Sequence, residues 1–330
     1  MISFSRPRVA GSARFVRFFA VLLLALLPCA GAVAARADAV PPERSTTDVV
    51  HIDNGVIRLG FKTSSGAALA HFSLCADERN VINHWDRGRL VQQSYYGTAD
   101  GSLWVDKPWR WNPVQGGDWR GSPARLLELE EDGRSLRSKS YGKHWASGVD
   151  LTDVVFEQWV TLDGPVARIR FRMSYSGTVA HPVVPHELPA VFIEPRFDTL
   201  LVYEGDDPWT SQPVTRSRPG WPNESRKFTE KWAAYVDAAD VGVGAFVPAA
   251  DELTCYRFGD GVREHGSCSY FAPIRKFAIE PGMVFTYDVY LTIGTADEIR
   301  ERFRRIHERG GTHMDVRTSA TAEAGSDGVK

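Results

Sequence analysis

The chain lacks the short signatures that most directly announce an activity. It has no Gly-x-Ser-x-Gly elbow, no His-Glu-x-x-His zinc helix, no phosphate-binding loop and no dinucleotide fingerprint, so none of those chemistries has its usual footing and no cofactor is expected. It also lacks a basic excess. The formal net charge is −2 over 330 residues, which gives no electrostatic support for nucleic-acid binding. No apolar run after the first thirty or so residues reaches membrane-spanning length, so no membrane span is expected. Cysteine is scarce, with four in the chain. No metal site is expected either: His181 and His186 flank a proline-broken segment at a spacing with no standard ligand geometry.

What is present begins with a targeting pattern. Arg6, Arg8, Arg14 and Arg17 lead into the apolar run 18–27, and Ala37-Asp38-Ala39 supplies a small-x-small cleavage site. Residues 1–39 therefore read as a secretory signal, and the chain is expected to be secreted or periplasmic. Pro28 directly before Cys29 argues against lipoprotein processing. The mature chain would keep Cys75, Cys255 and Cys268. An odd count in an oxidising compartment implies one pair and one thiol, and Cys255 and Cys268 flank the turn Gly259-Asp260-Gly261 as if across a hairpin.

After a polar leader (40–48), residues 49–52 and 56–61 alternate as strands around Asp53-Asn54-Gly55, a strong hairpin marker. Residues 66–74 give another strand. The clearest pair is 154–162 and 165–175 about the turn Asp163-Gly164, where Ala167, Ile169, Phe171, Met173 and Tyr175 alternate with Arg168, Arg170, Arg172 and Ser174. That period places one face in a core and leaves the arginines on a wet face, paired with neighbouring acids. Residues 241–247 and 284–293 continue the β pattern. One helix is predicted over 296–309, with Thr295 and Glu298 as a capping box and an apolar stripe of Ile299, Phe303 and Ile306. Gly310-Gly311 ends it, and the polar tail 312–330 is expected to be disordered. The body, 49–311, is thus mostly β with one C-terminal helix.

Between Arg87 and Ser122 the composition changes, with Trp104, Trp109, Trp111 and Trp119 set among glycine, proline and aspartate. This suits a structured surface loop better than a plain connector. Amide, guanidinium and acidic side chains accompany the aromatics: Arg89, Gln92, Gln93, Tyr95 and Tyr96, then Asn112, Gln115 and Asp118. Further on come Tyr203, Asp206, Asp207 and Trp209, then Glu230 beside Trp232. Sugars offer flat C–H faces and rings of hydroxyls, which aromatic platforms and bidentate polar groups recognise. Trp104, Trp109 and Trp111 are therefore assigned to a carbohydrate groove, and Trp159 and Trp232 to the core.

The segment 181–194, HPVVPHELPAVFIE, sets His186 and Glu187 between Pro185 and Pro189. Proline removes donors and fixes φ, so a rigid corner that aims Glu187 is expected here in place of a plain central strand.

Taken together, NGVIRLGF, GAALAHFSL, QQSYYG, WNPVQGGD, HELPAVF, YEGDDPWT and TEKWAA resemble a group of secreted, largely uncharacterised proteins with the galactose-mutarotase-like β-supersandwich fold, over about residues 49–305. The resemblance implies that fold and a poly- or oligosaccharide ligand without naming a reaction. The epimerases of this fold use a histidine acid and a glutamate base, but their Asn-His motif leading into an aromatic is absent, so His181 or His186 would have to stand in. Three readings follow. A glycoside hydrolase would use Glu187 as acid and Asp118 or Glu230 as base or nucleophile. A polysaccharide lyase would neutralise a uronate with Arg89, Gln92 or Asn112 and move the proton through Tyr95, Tyr96 or His186. A non-catalytic glycan binder would rely on Trp109 and Trp111.

Overall fold

The computed structural model describes residues 48–310 and 314–317. The signal segment 1–39 and nearly all of the leader lie outside the described residues. Nineteen strands join one hydrogen-bonded system, and its pairings trace two antiparallel runs. One passes from Leu126–Glu131 through Ser135–His144, Asp150–Asp163, Val166–Tyr175, Val284–Thr295, Val241–Phe246, Trp232–Val236 and Thr199–Val202 to Thr215–Ser217. The other passes from Val49–Asp53 through Ile57–Lys62, Ala68–Leu74, Val91–Ser94, His181–Ile193, Cys268–Ile279 and Glu252–Phe258 to Glu224–Lys227. The short strand Pro113–Val114 pairs with both runs and links them.

The main core lies between the runs, with Leu59, Phe61 and Phe72 from one and Phe156, Phe171, Phe285 and Tyr287 from the other in a single buried cluster. Alternation supplies these side chains. Ala167, Ile169, Phe171 and Met173 are fully buried, while Arg168 and Arg170 reach across to Asp288 at 2.6 and 2.9 Å on the opposite face. Asp288 is 1% exposed, so its two guanidinium partners offset a desolvation cost that an unpaired carboxylate could not bear. Arg172 turns to Glu157, and the arginine stripe is the acid-paired wet face that its period predicts.

The helix runs Ala296–Glu308. Thr295 and Glu298 exchange the two capping-box hydrogen bonds at 3.3 and 2.9 Å. Its buried residues Ile299 and Phe303 pack with Trp232 and Phe246 in a second cluster. No helix among the described residues is long and apolar enough to cross a membrane.

Four expectations change. First, 181–194 is no corner: His181–Ile193 is one strand, bulged at two places. Second, Met314–Arg317, assigned to a disordered tail, pairs with Val284–Tyr287 as a strand. Third, Cys255 and Cys268 are free thiols. They occupy adjacent strands, but Cys255 faces Phe271 and Cys268 faces Phe258. That three-residue offset is about 10 Å along the strand, beyond the reach of a disulfide. Fourth, Trp159 is not core. It lies on the wet face, with Arg172 4.8 Å from its ring centroid, because it shares the strand parity of Glu157 rather than that of Phe156.

Candidate active site

Strand parity gives the second run two different faces. Val91, Val191, Phe271 and Cys255 point into the main core. Their neighbours Gln92, Ser94, Ala190, Phe192, Tyr256 and Tyr270 point the other way, onto the floor of a cavity of about 520 Å³. A cavity of that size suits a small ligand.

The aromatic loop closes the cavity from one side. Of residues 87–122, expected as a surface loop, Val91–Ser94 and Pro113–Val114 join the main sheet, and the stretch between them forms a two-stranded arm of Ala99–Trp104 and Lys107–Arg110, turned at Val105 and Asp106, both at positive φ. Trp104 and Trp109 meet edge to face at 5.1 Å, and both line the cavity. The Trp109 indole donates to Asn112 at 3.2 Å, and His144 bonds Asp100 at 2.7 Å, tying the arm to Ser135–His144. Trp145 lies over Gly88, where a Cβ would stand 1.8 Å from the indole. Trp221 and Phe258 also line the cavity and are exposed at its mouth.

Glu187 lies at the floor. Under strict two-residue alternation Glu187 and Ala190 would face opposite sides of the sheet. A register shift between Glu187 and Ala190 adds one residue, so both face the cavity. Tyr270 donates its hydroxyl to the Glu187 carboxyl, and Ser94 and Tyr96 are also within its hydrogen-bonding reach. Burial raises the Glu187 pKa against the pull of those three hydroxyls, which favours the protonated acid. Burial likewise drives Tyr96 and Tyr270 well above the usual phenol value, with the Glu187 charge adding to it. Those phenols are donors and not bases. The only other carboxylate lining the cavity, among the described residues, is Asp86, which accepts from the backbone N–H of Gly88 and Arg89 at 2.9 and 3.0 Å.

Of the residues singled out from the sequence, Glu187, Arg89, Gln92, Tyr96, Trp104, Trp109 and Asn112 come together here. Three of these seven have their polar atoms committed to the frame. Arg89 spans to Asn83, Gly266 and Ser267. Gln92 bonds the carbonyls of Arg87 and Arg89 and the N–H of Gly116. Asn112 holds the Tyr95 carbonyl at 2.6 Å.

The others lie elsewhere. His186 is fully buried behind the floor, where Nε2 bonds the Phe277 carbonyl at 2.9 Å and Nδ1 accepts from the Tyr96 N–H at 3.1 Å. Both nitrogens are used, and burial lowers its pKa to about 4. It is a neutral brace, not a proton carrier. Asp118 is buried in its own turn, accepting from the Ser122 N–H and hydroxyl at 2.6 and 2.9 Å. Glu230 is buried beneath the helix, where Arg300, the Trp232 indole at 2.7 Å and the Trp209 N–H at 2.7 Å occupy its carboxylate. Neither carboxylate lines the cavity.

Gln93, Tyr95 and Gln115 face the core side, with Tyr95 bonded to Gln93 and Gln115 to Gln158. Tyr203 and Trp209 pack near the helix, Tyr203 under Arg300 and Trp209 stacked on His307 at 4.9 Å. Trp111 is 7% exposed and stacks on His181 at 4.0 Å. It belongs to the core and not to the groove. Sequence reasoning missed Asp86, Ser94, Trp145, Trp221, Tyr256 and Tyr270. Ser94 and Tyr270 carried a signal, since each shares strand parity with a cavity-facing neighbour.

No family model matches the chain, and no curated protein matches it. Solved structures do. A galactose mutarotase-like protein of Lactobacillus casei superposes with a TM-score of 0.50 at 10% identity, over 74% of this chain and 99% of that one. An aldose 1-epimerase candidate of Escherichia coli K12 gives 0.50 at 11% identity, over 75% and 99%. At such low identity the likeness carries architecture alone, and it agrees with the two antiparallel runs and their shared core: the chain has the galactose mutarotase-like fold.

Proposed function

We propose that this chain is a carbohydrate-active enzyme that holds a saccharide in the aromatic cavity and protonates one of its oxygens from Glu187. The reading is carried by a buried carboxyl bonded by the Tyr270 hydroxyl at the floor of a cavity walled by Trp104, Trp109, Trp145 and Trp221. Burial raises its pKa, the direction that suits a general acid. Glycoside hydrolysis is the reaction this site serves best, with Asp86 in place of Asp118 or Glu230 as the second carboxylate. Asp86 lines the same cavity, and its different surroundings suit the complementary role. The N-terminal arginine and apolar pattern supports action outside the cytoplasm.

An epimerase-like reaction is the second reading, favoured by the fold shared with the Escherichia coli aldose 1-epimerase candidate. Against it, no histidine lines the cavity among the described residues. The test is a panel of polysaccharides and free aldoses read for reducing ends, near-ultraviolet unsaturation and anomer interconversion. New reducing ends that vanish in Glu187→Gln support hydrolysis. Unsaturated products or anomer exchange alone would replace it, and binding with no product would leave a glycan-binding protein.

A further inference from the structure

The rim of the cavity carries a largely exposed aromatic side chain. Trp221 is 57% exposed. It stands at right angles to Tyr256 and Phe258, with centroids at 4.9 and 5.5 Å. Edge contacts of this kind fix an indole in one orientation. Most of its surface is nevertheless left to water, which a packing role would have covered. A rigid indole beside a polar floor is a platform for a second flat group beyond the one that reaches Glu187.

The charges of the cavity narrow what those groups are. Among the described residues the one cation lining it is Arg89. Its guanidinium is used by the Asn83 side chain and by the Gly266 and Ser267 carbonyls, with Asp86 3.6 Å away. The acidic side chains present are Asp86 and Glu187. A carboxylate or sulfate on the ligand would lose water here and meet no free counter-charge. Hydroxyls, by contrast, find Ser94, Tyr96, Tyr270 and Asn223, and C–H faces find the indoles.

We infer that the cavity takes an uncharged oligosaccharide of at least two units, its inner unit at Glu187 and its outer unit stacked on Trp221, and that it rejects uronates and sulfated sugars. This rests on the saccharide reading above.

The test uses intrinsic tryptophan fluorescence of the full mature chain. The probes are neutral gluco-, galacto-, manno- and xylo-oligosaccharides and, at equal length, oligogalacturonates and alginate oligosaccharides. A neutral series is expected to bind at least about tenfold more tightly than every uronate series. Trp221→Ala is expected to weaken neutral trisaccharides about tenfold while leaving the monosaccharide unchanged. Asn223→Arg, which adds a free guanidinium to the cavity, is expected to admit uronates. Uronates that bind as well as neutral sugars overturn the inference while the saccharide reading stands. A Trp221→Ala variant that keeps trisaccharide affinity overturns the outer unit. If no saccharide binds at all, both fail.

Discussion

Tyr270 donates its phenolic hydroxyl to the carboxyl of Glu187 across two neighbouring strands. The bond joins a carboxyl whose pKa burial raises to a phenol whose pKa burial also raises. Neither has the opposite charge as company, so the acid is held by hydroxyls alone. Such an acid can give its proton to a sugar oxygen without first breaking an ion pair.

The first consequence is catalytic. Glu187→Gln preserves shape and the Tyr270 bond but removes the proton, and turnover is expected to fall by about 10²–10⁴-fold with folding intact. Because the active form is protonated and the pKa is raised, wild-type activity should fall as pH rises through that raised value. Initial rates across pH test this, and a rate that keeps climbing through alkaline pH would contradict it.

The second concerns His186. Its two ring nitrogens brace the Tyr96 N–H and the Phe277 carbonyl, so His186→Ala leaves two buried backbone groups unpaired and a cavity. The expected loss is about 2–4 kcal/mol in denaturant unfolding. The folded variant should keep much of its turnover when assayed well below its melting temperature. Total loss of activity in a variant of normal stability would make His186 a participant in the chemistry.

Much of this was legible in the sequence, and the exceptions share a cause. The hairpin at Asn54-Gly55, the alternation of 166–175 and the Thr295–Glu298 box are local patterns, and each formed where its residues predict. Glu187 was legible as an aimed acid because prolines flank it. The device that aims it, a bulge within a continuous strand, needed the partners Val91–Ser94 and Cys268–Ile279 to be seen. Asp118 and Glu230 looked like its companions because acids among aromatics look alike in one dimension. In three dimensions one caps a turn and the other anchors a helix. Trp111 and Trp159 were exchanged for the same reason: strand parity, not local composition, decides which indole meets the core.

The Glu230 anchor gives a third prediction. Glu230→Gln leaves the Arg300 guanidinium without its charge partner beneath the helix, at an expected cost of about 3 kcal/mol by chemical denaturation. Saccharide affinity at the cavity should not change. An unaltered stability, or a loss of affinity in the folded variant, would contradict the assignment.

A fourth arises at Glu194. It is 8% exposed, and its Oε1 has no hydrogen-bond partner among the described residues. Burial raises its pKa from 4.5 to about 7, against Arg263 and Arg196. Over that interval the folded chain holds a proton that the unfolded chain has released. Its contribution is fully present below pH 4.5 and is lost as pH rises through about 7. Glu194→Gln should therefore gain about 2 kcal/mol over wild type at pH 8, and little at pH 4. Melting curves at the two values decide it, and equal shifts at both would remove the proton from the account.

The most direct test of the central claim is calorimetric titration of the wild type, Trp109→Ala and Trp159→Ala with whichever saccharide the panel identifies. Trp109 lines the cavity, and Trp159 lies between arginines on the wet face of the other run. The expected result is at least about a tenfold loss of affinity in Trp109→Ala, with Trp159→Ala binding as the wild type does. Wild-type affinity in Trp109→Ala would place the sugar somewhere other than the cavity above Glu187.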